Sequence, residues 1–289
     1  MFSLVAWQQL GSYVSAHRQQ IFVIDNELNS DKPPALLLHG YPRSSWDYSA
    51  FYHAICEEYR VITLDFLGFG FSSKPYPYEY SIIQQANIVE AVLAQRNISH
   101  CHVIAHNYGD AVMLELLARQ KALHRQPFLS VTFLGSSLSP ETYTPTFVQR
   151  ALSSKFGPLL IQFMSKELLL KSFTRLFGPH TQPSSSQLKA SWKLINHDAG
   201  IRCLPALLRY FKEWHVHQER WQQALFSDTP LALIRGTADP VIDQASIQHF
   251  HSLHHAKNYV AELPHIGHYP HLEAPHKTLN HWHDFLQQL

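Results

Sequence analysis

Cysteine is scarce in this chain: Cys56, Cys101 and Cys203 are the three among 289 residues. Odd in number, widely separated and without paired spacing, they exclude a disulfide framework and a cysteine-built metal site, and reduced thiols are expected. A charge imbalance is lacking as well. The net charge is +1 with histidine neutral, which points to neither nucleic acid nor an anionic membrane as a partner. No apolar run approaches the roughly 18–20 uninterrupted residues that a bilayer-spanning helix needs. The first residues, Met1 to Trp7, have no basic segment and no signal-like apolar stretch, so a soluble, cytoplasmic protein is expected.

What is present suits a globular protein with a deep core: 45% apolar and 16% charged residues, in a length fitting one large domain or one domain with an insertion. Histidine is abundant, with 21 residues. The close pairs His215/His217, His254/His255 and His281/His283 have no obvious third ligand, so they read as solvated surface residues and no metal site is expected.

The apolar pattern alternates between short strands and amphipathic helices. Two segments, around Gly11–Val14 and Ile21–Ile24, read as a hairpin. Pro34–Gly40 and Arg60–Asp65 are short apolar runs of the kind buried in a parallel sheet. Ser81-x-x-Gln84 predicts a capping box opening a helix whose Ile82, Ala86, Val89 and Leu93 share one face. A strand at His102–Ile104, a helix over 108–124 and a strand at Leu129–Leu134 follow.

From Ser139 to about Ser227 no strand signal occurs. A second capping box, Ser184-x-x-Gln187, opens a helix running through Leu194. The stretch Phe156–Phe177 is unusually apolar, yet Gln162, Lys166, Glu167 and Lys171 interrupt it. It reads as part of a helical cap whose apolar face covers the core, rather than as a membrane-surface helix. Alternation then resumes with a strand at Pro230–Gly236, a helix over 243–256, a strand at Asn258–Ala261 and a helix over 276–289. The expected architecture is α/β: a mostly parallel, doubly wound sheet over 1–138 and 228–289, with an all-helical insertion at 139–227.

One stretch organises the chemistry. Val103-Ile104-Ala105 ends a buried strand, a helix starts at once, and between them lies Ala105-His106-Asn107-Tyr108-Gly109. Small residues on either side of a central polar residue are what a nucleophile elbow needs, because the turn is sharp and its backbone segments approach closely. Sheets of this type place their sites at the carboxyl ends of strands, which selects His39, Tyr41, Asp65, Asn107, Asp239 and either His265 or His268. A nucleophile, an acid and a histidine in that order form a hydrolytic set: the histidine takes a proton and the carboxylate fixes its tautomer. Asp239 sits in the tight turn Gly236-Thr237-Ala238-Asp239-Pro240. His268, preceded by glycine and followed by Tyr269-Pro270, is preferred over His265, and Asp239 over Glu141.

With these motifs assembled, the chain resembles the α/β-hydrolases of the branch containing epoxide hydrolases and haloalkane dehalogenases. The resemblance rests on Leu38-His39-Gly40-Tyr41-Pro42, Leu64-Asp65-Phe66-Leu67-Gly68-Phe69-Gly70-Phe71-Ser72, His106-Asn107-Tyr108-Gly109-Asp110, Phe177-Gly178-Pro179 and His268-Tyr269-Pro270. It implies that position 107 is the nucleophile, Asp239 the triad acid and His268 the base that activates water. The backbone N–H groups of Tyr41 and Tyr108 would form the oxyanion hole, and His39, His106 and Tyr210 would meet the substrate. No cofactor is implied. The implied partner is a small hydrophobic molecule, with no nucleic acid and no membrane contact expected, and the oligomeric state is left open.

The chain departs from that pattern in three places. Dehalogenases of this branch usually carry tryptophan after the nucleophile, where Tyr108 stands here. Epoxide hydrolases use cap tyrosines as proton donors. Tyr210 resembles one, although packing on a cap helix would also account for it; no second stands out, Tyr143 being only a weak candidate. Third, Asn107 replaces the expected Asp. An amide cannot attack as a carboxylate does, and three explanations are ranked: an inactivating or trapping substitution, an asparagine that the site itself hydrolyses to aspartate, and a silent binding protein. With an aspartate at 107 the expected activity is epoxide hydrolase-like, through an ester intermediate; dehalogenase and esterase or lactonase are the alternatives.

Overall fold

The computed structural model describes residues 1–27, 31–253 and 258–289. Among the described residues, eight strands form one sheet: β1 (Gly11–Ala16), β2 (Gln19–Asp25), β3 (Pro34–Leu38), β4 (Arg60–Leu64), β5 (Cys101–His106), β6 (Phe128–Leu134), β7 (Leu231–Gly236) and β8 (Tyr259–Leu263). Their spatial order is β1-β2-β4-β3-β5-β6-β7-β8. β2 is antiparallel to both β1 and β4, and every other neighbouring pair is parallel.

Strand periodicity explains why the central strands are apolar throughout. Leu36 and Leu38 of β3 join one buried cluster with Ile62, Leu64, Val103 and Ala105. Ala35 and Leu37 point the other way and join a second cluster with Val61, Ile104, Ala232 and Ile234. Each sheet face therefore has its own covered core, which only helices packed on both sides can provide. The expected α/β, mostly parallel, doubly wound sheet is present.

Between β6 and β7 every regular element is helical, including Phe147–Ser153, Gly157–Phe163, Lys166–Thr174, Ser185–Asn196 and Tyr210–Ala224. The capping box at Ser184 and Gln187 forms in both directions. That at Ser81 is only half formed: Ser81 Oγ accepts from the Gln84 backbone N–H at 3.1 Å, but the Gln84 amide turns to Tyr78 instead. A third, Thr146 with Gln149, was not anticipated. Neither was the short helix Leu4–Leu10, capped by Ser3 and anchored by buried Trp7. The helix expected over 243–256 is described over Ala245–Ser252. Of the histidine pairs, His254/His255 lies outside the described residues, whereas His281 and His283 are half-buried rather than solvated.

The apolar stretch Phe156–Phe177 departs from expectation. Leu169, Phe173, Leu176 and Phe177 are buried as a core-covering face should be. Phe156, Leu159, Leu160, Phe163 and Leu168 are instead exposed, Phe163 by 81%. These helices are too short, at seven to nine residues, to bury more than one narrow stripe of so apolar a sequence.

Candidate active site

β5 runs directly into the helix Tyr108–Leu123, and the junction residue Asn107 has φ 52° and ψ −104°. A non-glycine residue at positive φ outside a turn is held there only by its surroundings. Two glycines make room for it. A Cβ on Gly109 would meet the Leu38 carbonyl oxygen at 2.4 Å, and one on Gly40 would meet the His106 ring at 2.4 Å and the Asn107 Cβ at 2.9 Å. The Gly109 N–H donates to the His39 carbonyl at 3.0 Å, stitching the elbow to the loop after β3.

The elbow presents Asn107 to two groups. Its Oδ1 accepts from the Tyr41 N–H at 3.1 Å. Its Nδ2 lies 3.4 Å from His268 Nε2. His268 Nδ1 is 2.8 Å from Asp239 Oδ2, so the carboxylate fixes which nitrogen carries the proton and leaves Nε2 facing position 107. Asp239 is itself immobilised, because its Oδ1 accepts from the Val241 and Ile242 N–H groups at 2.9 and 3.3 Å. Asn107, Asp239 and His268 are therefore brought together, in the geometry of a nucleophile position, base and orienting acid. Tyr108 is the first residue of its helix, where a backbone N–H has no partner within the helix, and Tyr41 already donates to position 107.

The remaining candidates separate cleanly. His265 has φ 64°, is exposed, and stands away from Asp239, its N–H bonded to Thr237 Oγ1. Glu141 pairs with Ser139 and Gln218 instead of His268. His39 does not reach outward: its Nε2 accepts from the Phe66 N–H at 3.0 Å, so Nδ1 carries the proton and donates to the Gly40 carbonyl. It ties two strand-end loops together. Asp65 does similar work, accepting from the Ser45 and Phe71 N–H groups at 2.8 and 2.7 Å. His106 is buried beneath the elbow, 3.0 Å from the His268 carbonyl oxygen. Burial and the neighbouring rings of His271 and His268 hold it well below the ordinary imidazole pKa, hence neutral.

Tyr210, by contrast, is above the elbow. Its ring centroid is 5.2 Å from that of Tyr108, and its fully buried hydroxyl has no well-formed hydrogen bond among the described residues. Tyr143 joins it: it is near enough to Tyr210 and Asn107 for each to influence its titration, and its hydroxyl accepts from Gln149 Nε2 at 2.9 Å. Burial pushes Tyr143 up to about 12, and burial followed by Tyr143 itself raises Tyr210. Both phenols are thus protonated donors at neutral pH.

Two supporting residues were not picked out from the sequence. Glu273 accepts at Oε2 from the Gly178 and Gly267 N–H groups at 2.8 and 2.9 Å, and from the Thr181 hydroxyl. Its Oε1 accepts from the Tyr269 N–H at 3.0 Å. One carboxylate thus clasps the backbone on both sides of His268 to the Phe177-Gly178-Pro179 turn, while the His268 N–H donates to the Leu176 carbonyl at 2.7 Å. Arg43 is buried, pairs with Asp47 at 2.6 Å, donates to Ser191 Oγ at 3.0 Å and lies 5.4 Å over the Tyr269 ring. Glu273 stands shortly after the His268-Tyr269-Pro270 motif, which was the available signal for it; nothing local marked Arg43.

Comparison with known proteins agrees with this fold. The family model for the alpha/beta hydrolase fold matches residues 33–275. The human mesoderm-specific transcript homolog protein is 34% identical over 294 residues, covering 98% of this chain and 88% of that protein. LipZ of Mycobacterium tuberculosis, which bears a hydrolase name, is 34% identical over 276 residues, covering 94% of each. Among solved structures, a loop variant of the haloalkane dehalogenase DbeA from Bradyrhizobium elkanii superposes with a TM-score of 0.78 at 17% identity, over 96% of this chain and 95% of that one. At that identity the likeness is one of fold.

Proposed function

From the premise that this chain belongs to the α/β-hydrolase fold family and is a hydrolase of that fold, we propose that its site is built for epoxide hydrolase-like cleavage of a small hydrophobic substrate, with a carboxylate at position 107. The observation that carries the reading is the pair of phenols, Tyr143 and Tyr210, over the elbow that holds Asn107 beside His268. In the first step a carboxylate oxygen at position 107 bonds to one epoxide carbon, the C–O bond breaks, and a tyrosine proton neutralises the departing alkoxide. In the second, His268 takes a proton from water and the resulting hydroxide attacks the ester carbonyl at position 107. The oxyanion rests on the Tyr41 and Tyr108 N–H groups and collapses. The ester's alkoxide oxygen leaves as the diol with the proton held by His268, and the acid proton left at position 107 returns to the tyrosinate. The helical segment 139–227 acts as the cap that supplies both tyrosines.

Tyr108, where a halide-binding tryptophan would be expected, argues against dehalogenation. The test is the Asn107→Asp chain assayed with styrene oxide, 1-bromobutane and p-nitrophenyl butyrate. Diol formation lost in an Asn107→Asp/His268→Ala chain is the expected result; halide release or ester cleavage without diol would falsify the epoxide reading.

A second reading concerns Asn107 as it stands. Its amide oxygen already occupies the Tyr41 N–H, and its nitrogen faces His268 Nε2. A His268-activated water attacking its Cγ would expel ammonia and leave aspartate, restoring the nucleophile. Intact-peptide mass spectrometry reads this directly as a gain of about one mass unit. A peptide that keeps its asparagine mass after prolonged incubation removes this route and leaves the substitution inactivating.

A further inference from the structure

We propose that the outer face of the helical segment 147–175 docks on the surface of an anionic lipid bilayer, which would deliver hydrophobic substrate to the site. This goes beyond the hydrolytic reading and rests on observations independent of Asn107, Asp239 and His268.

The first observation is exposure. Phe147, Phe156, Leu159, Leu160, Phe163 and Leu168 are large apolar side chains at 78, 57, 55, 40, 81 and 51% exposure. The helices carrying Phe147 and Phe163 pack against each other. Exposed apolar residues scattered singly need no explanation, whereas a concentration within so short a segment does.

The second observation is charge. The same segment carries Arg150, Lys155, Lys171 and Arg175 exposed and Lys166 half-buried, against Glu167 alone. In a chain whose total net charge is +1, this is a local cationic excess interleaved with aromatic and aliphatic side chains. Lys155 Nζ lies 5.1 Å over the Phe156 ring, where an ammonium can remain at headgroup depth while the ring enters the acyl boundary. Anionic headgroups over an acyl interior match both features at once.

The third observation is position. A narrow cavity is lined by Val148 and Gln149 from the helix Phe147–Ser153, by Leu169, Ser172 and Phe173 from Lys166–Thr174, and by Tyr41. Tyr41 is the residue whose N–H holds Asn107, and Gln149 holds Tyr143. The two helices bearing Phe147 and Leu168 therefore wall a small cavity that ends at Tyr41, a member of the elbow's hydrogen-bond network. The chain has no need of a membrane-crossing segment for this; among the described residues no helix is long and apolar enough to be one.

The test is flotation of the full chain with phosphatidylcholine vesicles containing 0 or 30% phosphatidylserine, at low and high salt, beside Phe156→Ser/Phe163→Ser and Lys155→Gln/Lys171→Gln chains. The 30% figure sets the composition, about that of an anionic leaflet. Binding is expected on the anionic vesicles, weakened at high salt, and reduced about tenfold or more in each double variant. Both variants alter exposed side chains, so an unchanged thermal midpoint confirms that folding is intact. No binding by the unaltered chain overturns the proposal. So does equal binding by all three chains. Concentration-dependent dimerisation abolished by Phe163→Ser, without vesicle binding, would assign the face to a second copy instead. None of these outcomes depends on turnover, so failure here leaves the hydrolytic reading standing, and the reverse also holds.

Discussion

The floor and the roof of the site are made differently. On the floor, the strand-end loops of the sheet, the polar side chains around the elbow are held in place: His39 by Phe66 and Gly40, Asp65 by Ser45 and Phe71, Asp239 by Val241, Ile242 and His268, whereas beneath it His106 Nδ1 and both His271 ring nitrogens have no partner among the described residues. In the roof, the helical segment between β6 and β7, the Tyr210 hydroxyl is buried without a well-formed partner and a run of apolar side chains faces outward. Saturated hydrogen bonding fixes geometry before substrate arrives. An unpartnered buried hydroxyl costs stability, on the order of 1–3 kcal/mol, and persists where a ligand atom can complete it. Under the proposed reaction, the floor would hold the reacting groups and the roof the substrate.

That contrast sets an order of effects in the Asn107→Asp background. Asp239→Asn should cost the most, lowering kcat by about 10³–10⁴-fold with KM little changed, because His268 loses its tautomer and the counter-charge for its imidazolium. Steady-state kinetics on the responsive substrate measure it. A loss below tenfold would mean that Glu141 or another acid serves His268. Tyr143→Phe/Tyr210→Phe should come next, lowering kcat on an epoxide by about 10²-fold or more while an activated ester loses far less, since its leaving group needs no proton. Equal losses on both substrates would make the tyrosines part of the floor and erase the distinction. Glu273→Gln is expected to fall below both, at about tenfold in kcat with no shift of the pH profile. It touches no reacting atom and acts by letting the Gly267–Tyr269 backbone relax from Gly178. A shifted acid limb would give Glu273 a role in proton transfer instead.

The floor was legible because its elements obey local rules. Apolar runs such as Leu36-Leu37-Leu38 can only be strands covered on both faces, and a small-x-polar-x-small turn between strand and helix has few other uses. The chain order of Asn107, Asp239 and His268 suggested a set, and the convergence of the strand-end loops places them at successive separations of 2.8–3.4 Å. The roof was less legible. Helical periodicity says which residues share a stripe but not which stripe faces in. In Phe156–Phe177 nearly every position is apolar enough for either side, and the choice is made by packing with distant residues. Tyr143 illustrates the same limit: no local pattern distinguishes it from an ordinary aromatic, and its position comes from a bridge to Ile242 across the chain and a bond from Gln149. Arg43 is a third case, since its partners Asp47, Ser191 and Tyr269 span most of the sequence.

The smallest effect concerns the floor's buried histidines. His271 packs 4.7 Å from His106 and 5.1 Å from Tyr48, and among the described residues neither of its ring nitrogens has a hydrogen-bond partner. Burial, then the Arg43 and His268 charges, hold it well below the ordinary imidazole value of 6.5. A base whose folded pKa is depressed stays neutral in the native state while the unfolded chain takes up a proton near pH 6.5. The stability it contributes is therefore present above that pH and lost as pH falls through it, at up to about 1.4 kcal/mol per pH unit for each such group. His106 titrates with the same sign. His271→Phe keeps the ring and removes one proton site, so its urea-unfolding free energy should match the parent near pH 7.5 and decline less steeply between pH 6.5 and 5. Parallel curves would mean that His271 stays unprotonated in the unfolded chain or protonated in the folded one. A variant much weaker at pH 7.5 would mean that the ring nitrogens are satisfied after all, and that the floor is pinned beneath the elbow as tightly as it is around it.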